Sequence, residues 1–181
     1  MGYLSAAVIL VAALGVFNLL ISLRLIRRLR EAGGIPGRLP GRPVVLTAAV
    51  GQKIGEFTAT TTAGQAISDR SLNQLTLAGF FSTSCPSCRE RAPEFLRYAA
   101  TFPGDVVAVV IGPVVAGEDG ETADLTGRLA AAGHVVVEAP HGPMVTAFEV
   151  GGYPALCVVD PHGRIIGSGT MIRDLPTLVP A

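Results

Sequence analysis

Two cysteines separated by two residues, Cys85 and Cys88, are the side chains of this sequence best suited to chemistry. They lie in the stretch "FFSTSCPSCRE", which joins an apolar run to a charged, helix-forming run. Thiols at this spacing can bind a metal ion, form a structural disulfide or act as a redox couple. The flanking elements and the other candidate ligands distinguish these three possibilities.

A metal site and a structural disulfide both explain the pair poorly. Zinc would require two more ligands, but there is no second C-x-x-C, and His134, His141 and His162 are scattered singly. We therefore predict no metal. A disulfide across two intervening residues closes a very short loop, for which the entropic stabilisation is smallest. The third cysteine, Cys157, lies in an apolar run and is expected to be buried as a small hydrophobic residue.

The elements around the pair favour a redox couple. Residues 75–81, "LTLAGFF", form a continuous apolar run typical of a strand that is buried on both faces. Apolar residues after the pair recur at the spacing of one helix face: Ala92, Phe95, Leu96 and Ala99. Cys85 would then lie at the start of a helix, where free N–H groups and the helix dipole favour the thiolate. Cys88, one turn further, could resolve a mixed disulfide.

The rest of the domain alternates strands and helices. A β-hairpin is predicted around Gly64, because two short β-prone pieces flank that glycine. Further strands are predicted at 105–112, 134–139, 154–160 and 164–170, and helices at 120–133 and 143–150. This order predicts an α/β domain whose central mixed sheet has a parallel core and a final antiparallel hairpin.

The first residues have the composition of a membrane anchor. Residues 3–23 carry no charge, and 21 helical residues span about 31 Å, the thickness of a bilayer core. We predict an N-terminal transmembrane helix with a basic flank in residues 1–30, a Gly/Pro-rich linker in 31–47 and the catalytic domain in 48–178. The lipid bilayer is thus an expected partner through residues 3–23.

Charge argues against nucleic acid as a partner. Residues 1–31 carry four arginines and one glutamate, whereas the remainder carries ten cations against thirteen anions. A mildly acidic domain offers no basic face for phosphates. The arginines after the apolar run also favour a cytoplasmic domain by the positive-inside rule.

The stretches "LTLAGFFSTSCPSCRERAPEF" and "GGYPALCVVDPHGRIIGSGT" resemble the thioredoxin fold over roughly residues 48–170. The resemblance is to the membrane-anchored disulfide-reductase branch that includes TlpA, ResA and MauD. The C-x-x-C opens a helix, Pro93 follows five residues after Cys88, and Pro154 opens a late strand. Residues 50–72, "VGQKIGEFTATTTAGQAISDRSL", are similar to the N-terminal hairpin of that branch.

The resemblance implies a membrane-tethered thiol-disulfide oxidoreductase that exchanges disulfides with protein substrates and needs no cofactor. It implies a cis peptide bond at Pro154 and a substrate site at Tyr153 and Pro154. Pro86 and Ser87, between the cysteines, would then influence the redox potential. The electron donor, membrane-bound or soluble, is not specified. The resemblance also favours an extracytoplasmic domain on a single-pass cell-membrane protein, against the basic flank.

The sequence departs from the resembled pattern at three places. Ser84 replaces the aromatic residue usual before the first cysteine, Gly79 stands where thioredoxin has a buried acid, and Arg91 stands where some members have glutamate. Two alternatives remain: a peroxidase of the peroxiredoxin type, since Ser82 lies three residues before Cys85, and a non-enzymatic binding module. Rapid oxidation of Cys85 by hydrogen peroxide would favour the peroxidase, and an unreactive dithiol the binding module.

Overall fold

The computed structural model describes residues 46–113 and 120–177, which form an α/β fold. The strands of this part are β1 (Thr58–Thr60), β2 (Ala66–Ser68), β3 (Thr76–Ser82), β4 (Asp105–Ile111), β5 (His134–Glu138), β6 (Ala155–Val159) and β7 (Ile165–Gly169). Its α-helices are α1 (Pro86–Ala99), α2 (Gly120–Leu129) and α3 (Pro143–Ala147). Single 3-10 turns cover Asp69–Ser71 and Ile172–Asp174.

The central sheet has the strand order β5-β4-β3-β6-β7. Strands β3, β4 and β5 are parallel, whereas β6 and β7 run antiparallel to their neighbours. This confirms the predicted mixed sheet and the antiparallel final hairpin. Because β3 is the middle strand, the cysteines that follow its C-terminal end lie beside the centre of the sheet.

Strand β3 is buried at every residue because both faces of the sheet are covered. Leu77 and Phe81 pack on the face that is covered by α1 and α2. Ala78 and Phe80 pack on the opposite face, with α3 and the residues before β3. Burial of a large apolar side chain contributes about 1.5–3 kcal/mol to the stability of the fold. Because both faces of β3 are buried, apolar residues stabilise the fold at successive positions of the strand and not only at alternate ones.

The residues before β3 form backbone hydrogen bonds with both outer strands of the sheet, β5 and β7. Beyond β1, Thr61 forms an antiparallel bridge with Val136 of β5. Near the other edge, Gly51 donates its N–H to the carbonyl of Ile165 in β7, at 2.7 Å. The hairpin between β1 and β2 turns at Gly64, whose φ of 81° is readily adopted by glycine. The predicted N-terminal hairpin is therefore confirmed.

Two helices are shorter than their sequence patterns predict. Helix α2 ends at Leu129 rather than at residue 133, because Ala132 donates its N–H to Leu129 and tightens the last turn. Gly133 then takes a φ of 149°, and a Cβ there would lie 2.5 Å from the carbonyl oxygen of Val106. Helix α3 ends at Ala147, two residues before Glu149 adopts a positive φ of 50°.

Two residues of the predicted linker, Leu46 and Thr47, pack against the described part of the chain. Leu46 and Thr47 are buried, and the Leu46 carbonyl accepts the N–H of Gly151 at 2.9 Å. These two residues belong to the folded domain because they pack on it and satisfy its backbone groups. The remainder of the linker and the predicted anchor in residues 3–23 lie outside the described residues. Within residues 46–113 and 120–177, no helix has the length and apolar character needed to cross a bilayer.

Candidate active site

Cys85 lies at the junction of β3 and α1. It is the N-cap of the helix and keeps an extended backbone, with φ of −103° and ψ of 109°. Its N–H donates to the carbonyl of Ser82 at 3.2 Å, which closes the turn after the strand. Pro86 follows at the first helical position, where its fixed φ fits and no N–H donor is needed. The half-buried Cys85 side chain is thus held at the opening of the helix.

Cys88 lies one turn further into α1 and is completely buried. Its Sγ accepts the N–H of Ser82 at 3.3 Å. Burial raises the pKa of the Cys88 thiol to about 12, with a further contribution from the hydrogen bond with Cys85, while the Ser82 N–H acts in the opposite direction. The Cys88 thiol therefore keeps its proton at neutral pH in the reduced protein.

The loop before β6 faces the first cysteine. The Tyr153–Pro154 peptide bond is cis, as predicted from the resemblance. The carbonyl of Tyr153 accepts the S–H of Cys85 at 3.5 Å. The half-buried side chain of Tyr153 packs against the buried apolar residues on both faces of the central sheet. The fold thus brings Cys85, Tyr153 and Pro154 together, although 68 positions separate Cys85 from Tyr153.

The two residues between the cysteines, Pro86 and Ser87, are exposed on the first turn of α1. They form part of the protein surface directly beside Cys85. A partner that reaches the Cys85 sulfur must pass close to them.

Gly79, the position at which the resemblance implies a buried acid in thioredoxin, lies against two aromatic rings. A Cβ at Gly79 would lie 2.6 Å from Cε2 of Phe95 and 2.9 Å from Cε2 of Phe81. These two rings are themselves in contact, with centroids 5.1 Å apart. Strand β3 therefore has no room for a side chain at residue 79 unless the ring pair moves.

Glu138 is a buried carboxylate that the sequence analysis missed. It is 5% exposed, and its oxygens accept the N–H of Met144 at 3.0 and 3.1 Å and that of Val145 at 3.2 Å. Burial raises the pKa of Glu138, while these two N–H groups act in the opposite direction. The pKa of Tyr153 is also raised, first by burial and then by the charges of Glu138 and Cys88. The sequence contains one indication of this carboxylate: an acidic residue lies at the end of a predicted strand, a few residues before the helix that begins at Pro143.

We expect Glu138 to make stability depend on pH. Its pKa is higher in the folded state than the usual 4.5, so the folded state retains a proton that the unfolded state loses. The contribution of Glu138 to stability is fully present below about pH 4.5 and is lost as the pH rises through the folded-state pKa, at about 1.4 kcal/mol per unit of separation. Urea denaturation between pH 4 and 8 should show a flatter profile for Glu138→Gln than for the wild type.

The exposed Glu56 provides the matched control. Glu56→Gln makes the same substitution at an exposed position, so its profile shows what the loss of a carboxylate at the surface does on its own. Parallel profiles for the wild type and Glu138→Gln would contradict the expected burial of an ionisable carboxylate.

Cys157 lies away from the pair. It is completely buried in β6, where it is paired with Ala78 of β3 and Ser168 of β7. Burial raises the pKa of its thiol, and its side chain packs on the face of the sheet opposite to that of Cys88. The predicted core role of Cys157 is confirmed by this position.

The three thiols should therefore react with iodoacetamide in a fixed order. Only Cys85 among them is partly exposed, whereas Cys88 and Cys157 have no exposed surface. At neutral pH in the reduced protein, Cys85 should be labelled first, Cys88 at least tenfold more slowly, and Cys157 only after unfolding. Peptide mass spectrometry over time checks the order, and labelling in urea provides the control. Faster labelling of Cys157 than of Cys85 would contradict this arrangement.

The strand order and the cysteine pair at the start of α1 define a thioredoxin-like fold, and comparison with solved structures agrees. The thioredoxin domain of a thiol-disulfide oxidoreductase from Bacteroides vulgatus aligns with a TM-score of 0.57 and 18% identity, over 71% of this chain and 93% of that chain. A thiol:disulfide interchange protein from Bacteroides sp. aligns with a TM-score of 0.54 and 18% identity, over 66% and 80%.

A secreted Mycobacterium tuberculosis disulfide oxidoreductase, homologous to Escherichia coli DsbE, aligns with a TM-score of 0.52 and 21% identity, over 69% of this chain and 87% of that chain. No protein-family model and no curated protein matches the sequence. At these identities the comparisons establish the fold, which is the one predicted from the sequence.

Proposed function

We propose that this protein is a thiol-disulfide oxidoreductase that exchanges disulfides with protein substrates through Cys85 and Cys88. The observation that carries the proposal is the arrangement of the two sulfurs: a half-buried thiol at the opening of α1 and a buried thiol one turn behind it. The carbonyl of Tyr153, 3.5 Å from Cys85 Sγ, lies beside the first thiol. The similarity to solved oxidoreductases supports the same assignment.

In the reducing direction, Cys85 as a thiolate attacks one sulfur of a substrate disulfide. That S–S bond breaks, and the other substrate sulfur leaves as a thiolate that takes a proton from water. Cys88 then releases its proton to water, and its sulfur attacks Cys85 Sγ. The bond from Cys85 to the substrate breaks, the second substrate sulfur leaves and is protonated, and the two cysteines form a disulfide. Two electrons pass from the protein dithiol to the substrate.

The segment around Tyr153 and Pro154 is the proposed substrate platform. The Tyr153 carbonyl faces Cys85 and can accept an N–H from an extended segment of the substrate, which would bring the substrate sulfur towards Cys85. Pro154 has no N–H to donate, so a hydrogen bond between this segment and the substrate backbone depends on the carbonyl of Tyr153. The exposed Pro86 and Ser87 would lie on the same surface.

A membrane tether completes the proposal. It is supported by the uncharged run in residues 3–23, which has the length of a bilayer span. We place the domain outside the cytoplasm, because protein disulfides form and persist mainly in oxidising compartments. Protease treatment of intact cells tests this placement, since a fully protected domain would contradict it. The membrane-bound or soluble electron donor would have to reach Cys85 from the same side.

Titration with glutathione redox buffers tests the proposed function. The wild type should show one two-electron transition that converts Cys85 and Cys88 together from dithiol to disulfide. Alkylation of the free thiols and mass spectrometry measure the fraction in each state. Its midpoint gives the reduction potential and hence the direction of net transfer. Accumulation of Cys85 bound to glutathione, with Cys88 still free, would contradict a dithiol mechanism. Slow oxidation of Cys85 by hydrogen peroxide would argue against a peroxidase.

A further inference from the structure

Two serine hydroxyls are bonded to each other beside the buried thiol. Ser82 is the last residue of β3 and is buried, whereas Ser84 directly precedes Cys85 and is exposed. Their hydroxyl oxygens are 3.0 Å apart. The N–H of Ser82 is the group that donates to Cys88 Sγ, at 3.3 Å. One short turn therefore contains both the hydroxyl bond and the amide donor of the second thiol.

The Ser82 amide contacts the sulfur that most needs stabilisation. Burial holds the pKa of Cys88 at about 12, but resolution requires a negative charge on this sulfur. A hydrogen bond to the charged form favours that form. Loss of alignment between the Ser82 N–H and Cys88 Sγ would thus reduce the fraction of thiolate.

The turn is held from both ends. The Ser82 carbonyl accepts the N–H of Cys85 at 3.2 Å, and the N–H of Thr83 donates to the carbonyl of Ile111 at 3.1 Å. The hydroxyl bond between Ser82 and Ser84 is the side-chain link across the same turn. It adds a side-chain constraint on Ser82, the residue whose amide meets the sulfur.

We propose that the hydroxyl bond between Ser82 and Ser84 positions the Ser82 amide to stabilise the thiolate of Cys88 while that sulfur attacks the mixed disulfide on Cys85. Ser84 is thus a positioning residue that acts on the second thiol through Ser82. This inference rests on the proposed function, because it concerns the resolving step. In that step the Cys88 proton goes to water, the Cys85–Cys88 bond forms, and the partner thiolate leaves.

The size of the effect follows from thiol chemistry. A tenfold loss of thiolate is partly offset because a more basic thiolate is the better nucleophile, with a Brønsted coefficient of about 0.4–0.5. The attack at neutral pH is then slowed by about three- to fourfold. The pH at which resolution reaches half of its maximal rate should rise at the same time.

Stopped-flow reaction with Ellman's reagent separates the two steps. One thionitrobenzoate is released when Cys85 is modified, and a second when Cys88 displaces the mixed disulfide from Cys85. We expect Ser84→Ala and Ser82→Ala each to slow the second release about three- to fourfold at pH 7 and to shift its pH profile upward. The double variant should be no slower than either single one, since both remove the same bond. Ser84→Thr keeps the hydroxyl and should restore the rate.

The outcomes distinguish this inference from the function on which it rests. A Ser84→Ala profile equal to that of the wild type, or effects of the two single variants that add in the double variant, would overturn the positioning role. If the wild type releases only one equivalent, the dithiol mechanism fails, and the inference fails with it. If the wild type releases two equivalents and Ser84→Ala matches it, only the inference fails.

Discussion

Replacement of Cys88 by serine is expected to leave substrate proteins covalently attached to Cys85. In the proposed mechanism the buried Cys88 sulfur displaces the partner from Cys85, so its loss removes the second attack. Mixed disulfides should accumulate to nearly one per chain, and dithiol turnover should be lost, because no disulfide can form between residues 85 and 88. Non-reducing electrophoresis followed by mass spectrometry identifies the trapped partners and the cysteine that carries them.

Two variants serve as controls for the trapping experiment. Cys85→Ser should abolish both trapping and turnover, because the partly exposed sulfur makes the first contact. Cys157→Ser should trap nothing, since this residue is buried on the opposite face of the sheet. If Cys88→Ser retained dithiol turnover, or trapped partners on Cys157, the pair would not be the redox couple.

Introduction of an acid at Gly79 should destabilise the domain instead of supplying a proton acceptor. A Cβ at this position would lie within 3 Å of both Phe81 and Phe95, whose rings fill the space. Gly79→Asp therefore forces the rings apart and buries a carboxylate, and each effect costs stability. We expect a loss of roughly 3 kcal/mol or more in the free energy of unfolding, or no folded protein. Urea denaturation measures the loss.

A second glycine provides the matched control. Gly127 lies in α2 and is exposed, and a Cβ placed there would meet no atom within 4 Å apart from its chain neighbours and its own helix backbone. Gly127→Asp should change the free energy of unfolding by less than about 1 kcal/mol. Gly79→Ala should be destabilising as well, because its methyl group meets the same rings. A stable Gly79→Asp protein would mean that the Phe81–Phe95 pair can rearrange.

The central strands could be predicted because their apolar runs are unbroken. The apolar runs predict strands at 75–81 and 105–112, and the structure has β3 at Thr76–Ser82 and β4 at Asp105–Ile111. Both are covered on two faces, so apart from Asp105 at the start of β4 their residues are apolar or small, and the signal is strong. The helix ends were less well predicted, because residues 130–133 are helix-compatible alanines until the glycine, whereas the turn there is set by packing on β4.

The cysteine pair could be predicted, but its surroundings could not. The C-x-x-C spacing and the strand-to-helix junction identified Cys85 and Cys88, and the resemblance pointed to Pro154. The buried state of Glu138 depends on N–H groups of a five-residue helix that only the fold brings to it. The contact of Ser82 with Cys88 depends on the turn geometry, which short polar residues alone do not specify.

The hydrogen bonds between the early residues and the last strand have a consequence for the order in which the chain can fold during synthesis. Arg164 donates to the carbonyl of Gly51 across 113 positions, so this contact cannot form until Arg164 has left the ribosome. Contacts over such sequence separations slow folding. The residues around Gly51 therefore complete their docking only after β7 has been made, because Gly51 also donates to Ile165 of that strand. Until these residues dock, the outer edge of β7 exposes unpaired backbone amides that can pair with other chains.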